Sequence, residues 1–129
     1  MKNKVKKNTV LVIEDEEDVR NFVSRLLELE GYEVLTAETG ESGLDIARAS
    51  EISLVVLDLK LPGMDGWAVI KEMRGNASLS GVPVILFTAA VNALERAKAQ
   101  KLANTYYLPK PVNVVTMKTL VKRILNSAR

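Results

Sequence analysis

Apolar positions follow two alternating rhythms along this chain. Short β-rich runs at Thr9–Ile13, Tyr32–Ala37, Leu54–Asp58, Val82–Thr88 and Tyr106–Leu108 each predict a strand. Between them apolar residues recur every three or four positions, which is the period of a helix with one buried face. Val19, Phe22, Val23, Leu26 and Leu27 mark the first such helix, and Gly31 stops it. Gly40–Ala49 turns Leu44 and Ala47 inward, and Trp67, Ile70 and Met73 mark a third helix. Asn92–Lys101 is polar and Ala-rich with a thin apolar face. Val114, Met117, Leu120, Val121, Ile124 and Leu125 define a long last helix. Pro83 is tolerable because it stands at the start of its strand.

Five strands alternating with five helices predict βαβ units and a parallel sheet. Right-handed crossovers then place helices on both faces, the doubly wound α/β arrangement. At 129 residues the chain is long enough for one domain with a true core. We place that domain at 8–129, after a basic, flexible N-terminus at 1–7. No internal repeat or linker divides it. Four of the 18 basic residues lie in 1–7, so the remainder carries 14 basic against 16 acidic side chains. That balance argues against direct nucleic-acid binding by the domain. No apolar run reaches the ~20 residues of a membrane span, and no apolar segment follows the basic start as in a signal peptide. A cytoplasmic location is the expectation. The chain has neither Cys nor His, so thiolate, imidazole and the usual zinc chemistries are excluded.

What remains is oxygen and amine chemistry, and it gathers at one edge. In an open α/β sheet the ligand crevice lies outside the carboxyl ends of the strands. There the first strand ends in Glu14 and Asp15, the third in Asp58, the fourth in Thr88 and Ala89, and the fifth runs into Lys110. Three carboxylates so placed repel one another by roughly 4 kcal/mol per close pair at an effective dielectric near 20. One Lys leaves a formal charge of about −2, which a divalent cation cancels. Oxygen ligands alone favour Mg²⁺, which also accepts phosphate oxygens. The set suits phosphoryl transfer: Asp58 attacks phosphorus while metal, Thr88 and Lys110 balance charge.

Glu14-Asp15, Asp58 with the turn Leu59–Gly66 behind it, Thr88-Ala89 and Lys110-Pro111 together resemble the receiver domain of bacterial two-component response regulators. The resemblance runs over roughly residues 8–127. It implies a flavodoxin-like three-layer sandwich of strand order 2-1-3-4-5, for which a chemotaxis receiver is the familiar instance. It implies Asp58 as phosphoacceptor and Mg²⁺ held by Asp15, by Glu14 through water, by Asp58 and by the carbonyl of Lys60. Thr88 with Ala89, Tyr107 and Lys110 become the phosphoryl-binding and switch residues, and the Lys110–Pro111 bond is expected to be cis. The implied donor is a sensor histidine kinase or a histidine phosphotransfer protein, and the receiver of the signal a downstream protein or output domain. Such a chain is a phosphoacceptor switch that promotes its own phosphorylation and dephosphorylation, and not an enzyme with a separate substrate. It is a monomer or a phosphorylation-dependent dimer. Three positions depart from the family's pattern: Glu14 where Asp is frequent, Leu102–Tyr106 where Gly-Ala-Asp is common, and Val112 where Phe often follows the Lys-Pro pair.

Blander roles account for several neighbours. Glu16, Glu17 and Asp18 read as an acidic first turn that favours the helix dipole. Asp65 reads as a helix cap, Pro62-Gly63 as the centre of a type II turn, and Trp67 as packing. Tyr106 and Tyr107 alternate on a strand, one turned in and one out. A phosphatase of the haloacid-dehalogenase type needs a second Asp two residues after the nucleophile, where this chain has Lys60. A flavodoxin-like electron carrier needs a Ser/Thr/Gly-rich phosphate loop, where this chain has four acids. A receiver used only for binding, without phosphorylation, is the nearest rival, yet every residue type the chemistry needs is present.

Overall fold

The computed structural model describes residues 7–89 and 92–127. The sheet has five strands: β1 Thr9–Ile13, β2 Glu33–Ala37, β3 Leu54–Leu57, β4 Val84–Thr88 and β5 Thr105–Pro109. They lie in the order β2-β1-β3-β4-β5, and every pairing is parallel. The helices are α1 Glu17–Leu29, α2 Gly40–Ala49, α3 Gly66–Arg74, α4 Ala93–Gln100 and α5 Val114–Ser127. This is the doubly wound, three-layer sandwich expected. The first six residues, most of the basic N-terminus, lie outside the described residues.

Strand pleating sorts the side chains. Leu11, Ile13, Val55, Leu57, Val84 and Leu86 face α2, α3 and α4, where Leu44, Ala47, Val69, Ile70, Met73 and Ala99 meet them. Val10, Val12, Leu54, Val56, Ile85 and Phe87 face α1 and α5, against Val23, Leu27, Met117, Val121 and Ile124. Because β1, β3 and β4 are buried on both faces, they read as unbroken apolar runs without alternation. The edge strands β2 and β5 carry mixed patterns.

Local signals end the elements. Thr39 and Ser42 form a reciprocal capping box at α2. Asp65 Oδ1 accepts from the Ala68 N–H at α3, and Asn92 Oδ1 from the Glu95 N–H at α4. Gly63 has φ +75°, the left-handed value a type II turn needs at its third position. Pro83 lies just before β4, which starts at Val84, and Asp58 just beyond β3.

Candidate functional site

The carboxyl ends of β1, β3, β4 and β5 meet at one edge, and backbone bonds fix each functional residue there. The Asp58 N–H donates to Ile13 O at 3.2 Å, and the Glu14 N–H to Ala37 O at 3.0 Å. The Lys110 N–H donates to Thr88 O at 2.9 Å. Each side chain therefore starts from a position held by the sheet ladder.

Lys110 is the hub. Its Nζ lies 2.8 Å from Glu14 Oε1, 3.0 Å from Asp58 Oδ2 and 3.1 Å from Glu16 Oε1. The peptide bond to Pro111 is cis. The Phe87 ring centroid is 5.7 Å from the ammonium. Burial works against the charged lysine, but its bonds to Glu14 and Asp58 outweigh that and hold its pKa above the ordinary lysine range. Burial likewise raises the Glu14 pKa, and the bonds from Lys110 and the Glu16 N–H only partly offset it.

Asp58 is buried and has both oxygens engaged, Oδ2 by Lys110 and Oδ1 by the Lys60 N–H at 3.2 Å. Bonding to the amide two residues on is a local turn habit of Asp, and here it orients the carboxylate. Thr88 is buried beside this edge, and its Oγ1 has no hydrogen-bond partner among the described residues. Ala89 follows it and is exposed. Tyr107 is half-buried opposite Leu86 in the β4–β5 register, while Tyr106 is more exposed.

Glu14, Glu16 and Asp58 each offer a carboxylate oxygen within 4.8 Å of the others. Asp15 is exposed instead. It lines a neighbouring cleft of about 540 Å³ with Lys60, Pro62, Asp65, Trp67 and Glu95. Lys60 reaches Asp58 through its amide. Two participants were not singled out from the sequence. Glu16 reads there as part of an acidic helical turn, yet its carboxylate sits on Lys110. Arg20 donates to the carbonyls of Glu14 at 2.8 Å and Asp15 at 3.5 Å, tying α1 to the loop that carries the acids. Its placement one turn into α1, six residues after Glu14, was the available signal.

A doubly wound sheet with a buried aspartate, flanking acids and a lysine at its carboxyl edge defines a narrow class of signalling domains. Residues 10–122 match the response regulator receiver domain, and the chain belongs to that family. It is a receiver domain of two-component signalling. A "Probable transcriptional regulator ycf27" of Porphyra purpurea is 34% identical over 122 residues, covering 95% of this chain and 49% of the relative. The "Transcriptional regulatory protein PcoR" of Escherichia coli is 31% identical over 120 residues, covering 93% and 52%. The chain thus spans about half the length of the curated relatives it matches. Among solved structures, the Vibrio cholerae chemotaxis protein CheY4 superposes with a TM-score of 0.86 at 26% identity, covering 92% of this chain and 99% of that one. The receiver domain of the hybrid histidine kinase CckA gives 0.76 at 34% identity, covering 92% and 99%. Among the described residues no helix is long and apolar enough to cross a membrane.

Proposed function

We propose that Asp58 accepts a phosphoryl group from the phosphohistidine of a sensor kinase or phosphotransfer protein, with Mg²⁺ bound, and that the acyl phosphate switches a protein-interaction surface. The observation that carries this reading is the Asp58 carboxylate held between the Lys60 amide and the Lys110 ammonium at the mouth of the sheet. Asp58 attacks phosphorus. The bond from phosphorus to the donor breaks, its electron pair stays on the donor nitrogen, and a proton taken up there leaves a neutral imidazole. Lys110 then balances charge on the phosphoryl oxygens.

The donor set fits a hard divalent cation. It is all oxygen, and three clustered carboxylates against one ammonium leave a formal −2. Glu14 and Asp58 of this cluster, with Asp15 and the Lys60 carbonyl from the adjoining cleft, would hold Mg²⁺, which when bound would neutralise phosphoryl charge. The orphaned Thr88 hydroxyl supports a further role: it is a buried donor awaiting an acceptor, which a phosphoryl oxygen supplies. Tyr107 moves with it, and α4 answers. The chain acts as a switch on itself and not as an enzyme on a separate substrate. In a longer protein the signal would pass to an output domain, as the names of the transcriptional relatives suggest.

Incubation with acetyl phosphate and Mg²⁺ should add one phosphoryl group by intact mass. Asp58→Asn or a chelator should abolish it. Labelling that persists in Asp58→Asn overturns the assignment.

A further inference from the structure

Lys110 has no N–H to spare. An ammonium donates three hydrogen bonds and accepts none, and three carboxylates already take them at 2.8, 3.0 and 3.1 Å. Phosphorylation turns the Asp58 carboxylate into a neutral acyl group and releases that contact, but the phosphoryl oxygens bring up to about two negative charges, more than the one freed N–H meets, so a second partner must let go. The two that remain are not equal. The Glu14 side chain is 3% exposed, whereas Glu16 is 64% exposed. A buried carboxylate that loses its cation has little solvent to replace it, whereas an exposed one is rehydrated at once. Glu16 is the partner that leaves at least cost.

We infer that Glu16 is an internal competitor for the phosphoryl group: its carboxylate takes the Lys110 N–H in the resting protein and is displaced when Asp58 is phosphorylated. The inference rests on the phosphoacceptor reading and adds a positioning residue to it. The exchange at Lys110 is non-covalent, one anionic oxygen for another, and consumes no co-reactant. Apart from Lys110, the Glu16 side chain has no hydrogen-bond partner among the described residues. It stands at the N-cap of α1 but makes no side-chain cap bond there, so substitutions leave the helix start unharmed. Glu17, the next acid, belongs to the first turn of α1 and serves as a control for charge alone.

The test uses beryllofluoride with Mg²⁺ as an unreactive phosphoryl mimic, read by fluorescence of Trp67, the single tryptophan. The rate of phosphorylation by acetyl phosphate, read by mass, runs in parallel. Glu16→Gln weakens the competing bond by removing its charge. Glu16→Asp keeps the charge but is one methylene shorter and suited to capping α1, which draws it off Lys110. Both should lower the half-saturating beryllofluoride concentration by about two- to five-fold, the scale of a partly exposed ion pair. Glu17→Gln should stay near the parent. If Glu16→Asp matches the parent, or Glu17→Gln shifts as far as Glu16→Gln, the effect is long-range charge and the inference is overturned. Unchanged Glu16 variants in a parent that takes both reagents overturn it alone. A parent that takes neither reagent overturns the phosphoacceptor reading and this inference with it.

Discussion

Gly66 lies against the backbone of Asp58: a methyl group on Gly66 would fall 2.6 Å from the Asp58 carbonyl oxygen and 2.8 Å from the Leu59 Cα. The Gly66 N–H also donates to Leu59 O at 2.9 Å. The first residue of α3 thus closes the loop that leaves Asp58. Both contacted atoms are backbone, so neither moves aside without moving Asp58.

Gly66→Ala should therefore cost about 1–3 kcal/mol in stability and slow phosphorylation of Asp58 together. Gly75→Ala makes the contrast, since a methyl there meets only Lys71 O at 3.6 Å and Glu72 O at 3.8 Å. Urea denaturation and acetyl phosphate labelling of the two variants check this. Equal behaviour of both would falsify the role given to Gly66.

Removing the ammonium leaves buried carboxylates uncompensated. Lys110→Met should destabilise the metal-free protein by roughly 1–3 kcal/mol, less than the ~3–5 of a fully enclosed pair because Glu16 opens the site to water. Mg²⁺ should restore more stability to this variant than to the parent, since a cation that binds only the folded state stabilises by mass action. Thermal melts with and without Mg²⁺ give the comparison. The lack of any gain in either protein would rule out a cation among these acids, and an equal gain in both would place it out of reach of Lys110.

Thr88 carries a buried hydroxyl with no partner among the described residues, which is a cost in the resting state. Thr88→Val, of nearly the same shape, should be neutral or stabilising by about 1 kcal/mol. Thr88→Ala should still be phosphorylated on Asp58 but should lose the response of residues 92–108. Amide hydrogen exchange with and without phosphodonor reads this directly. A response as large as the parent's would disconnect Thr88 from the switch.

Arg74 clamps the far side of α3. Its Nη1 donates to the carbonyls of Leu79, Ser80 and Val82, at 2.8 Å for the last, and its Nη2 to those of Ala103 and Asn104 at 3.2 and 3.3 Å. Burial lowers the pKa of the guanidinium. Arg74→Ala should cost about 2–3 kcal/mol, and Arg74→Lys should recover less than half because an ammonium lacks the planar fork. Chemical denaturation measures both. Full recovery by Lys would mean that charge alone matters.

The strands were legible because burial on both faces writes itself as Val10–Ile13, Leu54–Leu57 and Val84–Phe87 without interruption. Caps and turns were legible too: Asp65 and Gly63 act through their immediate neighbours, so their roles are local chemistry. Asp58, Thr88 and Lys110 stood out because an apolar run that ends in a polar residue marks a strand end. Glu16 and Arg74 were not legible. Glu16 is one acid among five in 14–18, and only the approach of Lys110, 94 positions away, separates it from Glu17. Arg74 looks like any basic residue at a helix end until its carbonyl partners, up to 30 positions off, arrive.

The chain by itself determined the period of each element, the all-oxygen character of its chemistry and the edge where that chemistry collects. Those follow from side-chain type and spacing, which are properties of the chain as written. Only the tertiary structure decided which acids share Lys110, that Asp15 lines the neighbouring cleft while the exposed Glu16 reaches Lys110, and that Gly66 presses on Asp58. The reason is that a hydrogen bond reaches about 3 Å and an ion pair about 4 Å. Sequence order says nothing at that scale about residues from different strands, and the sheet register sets it.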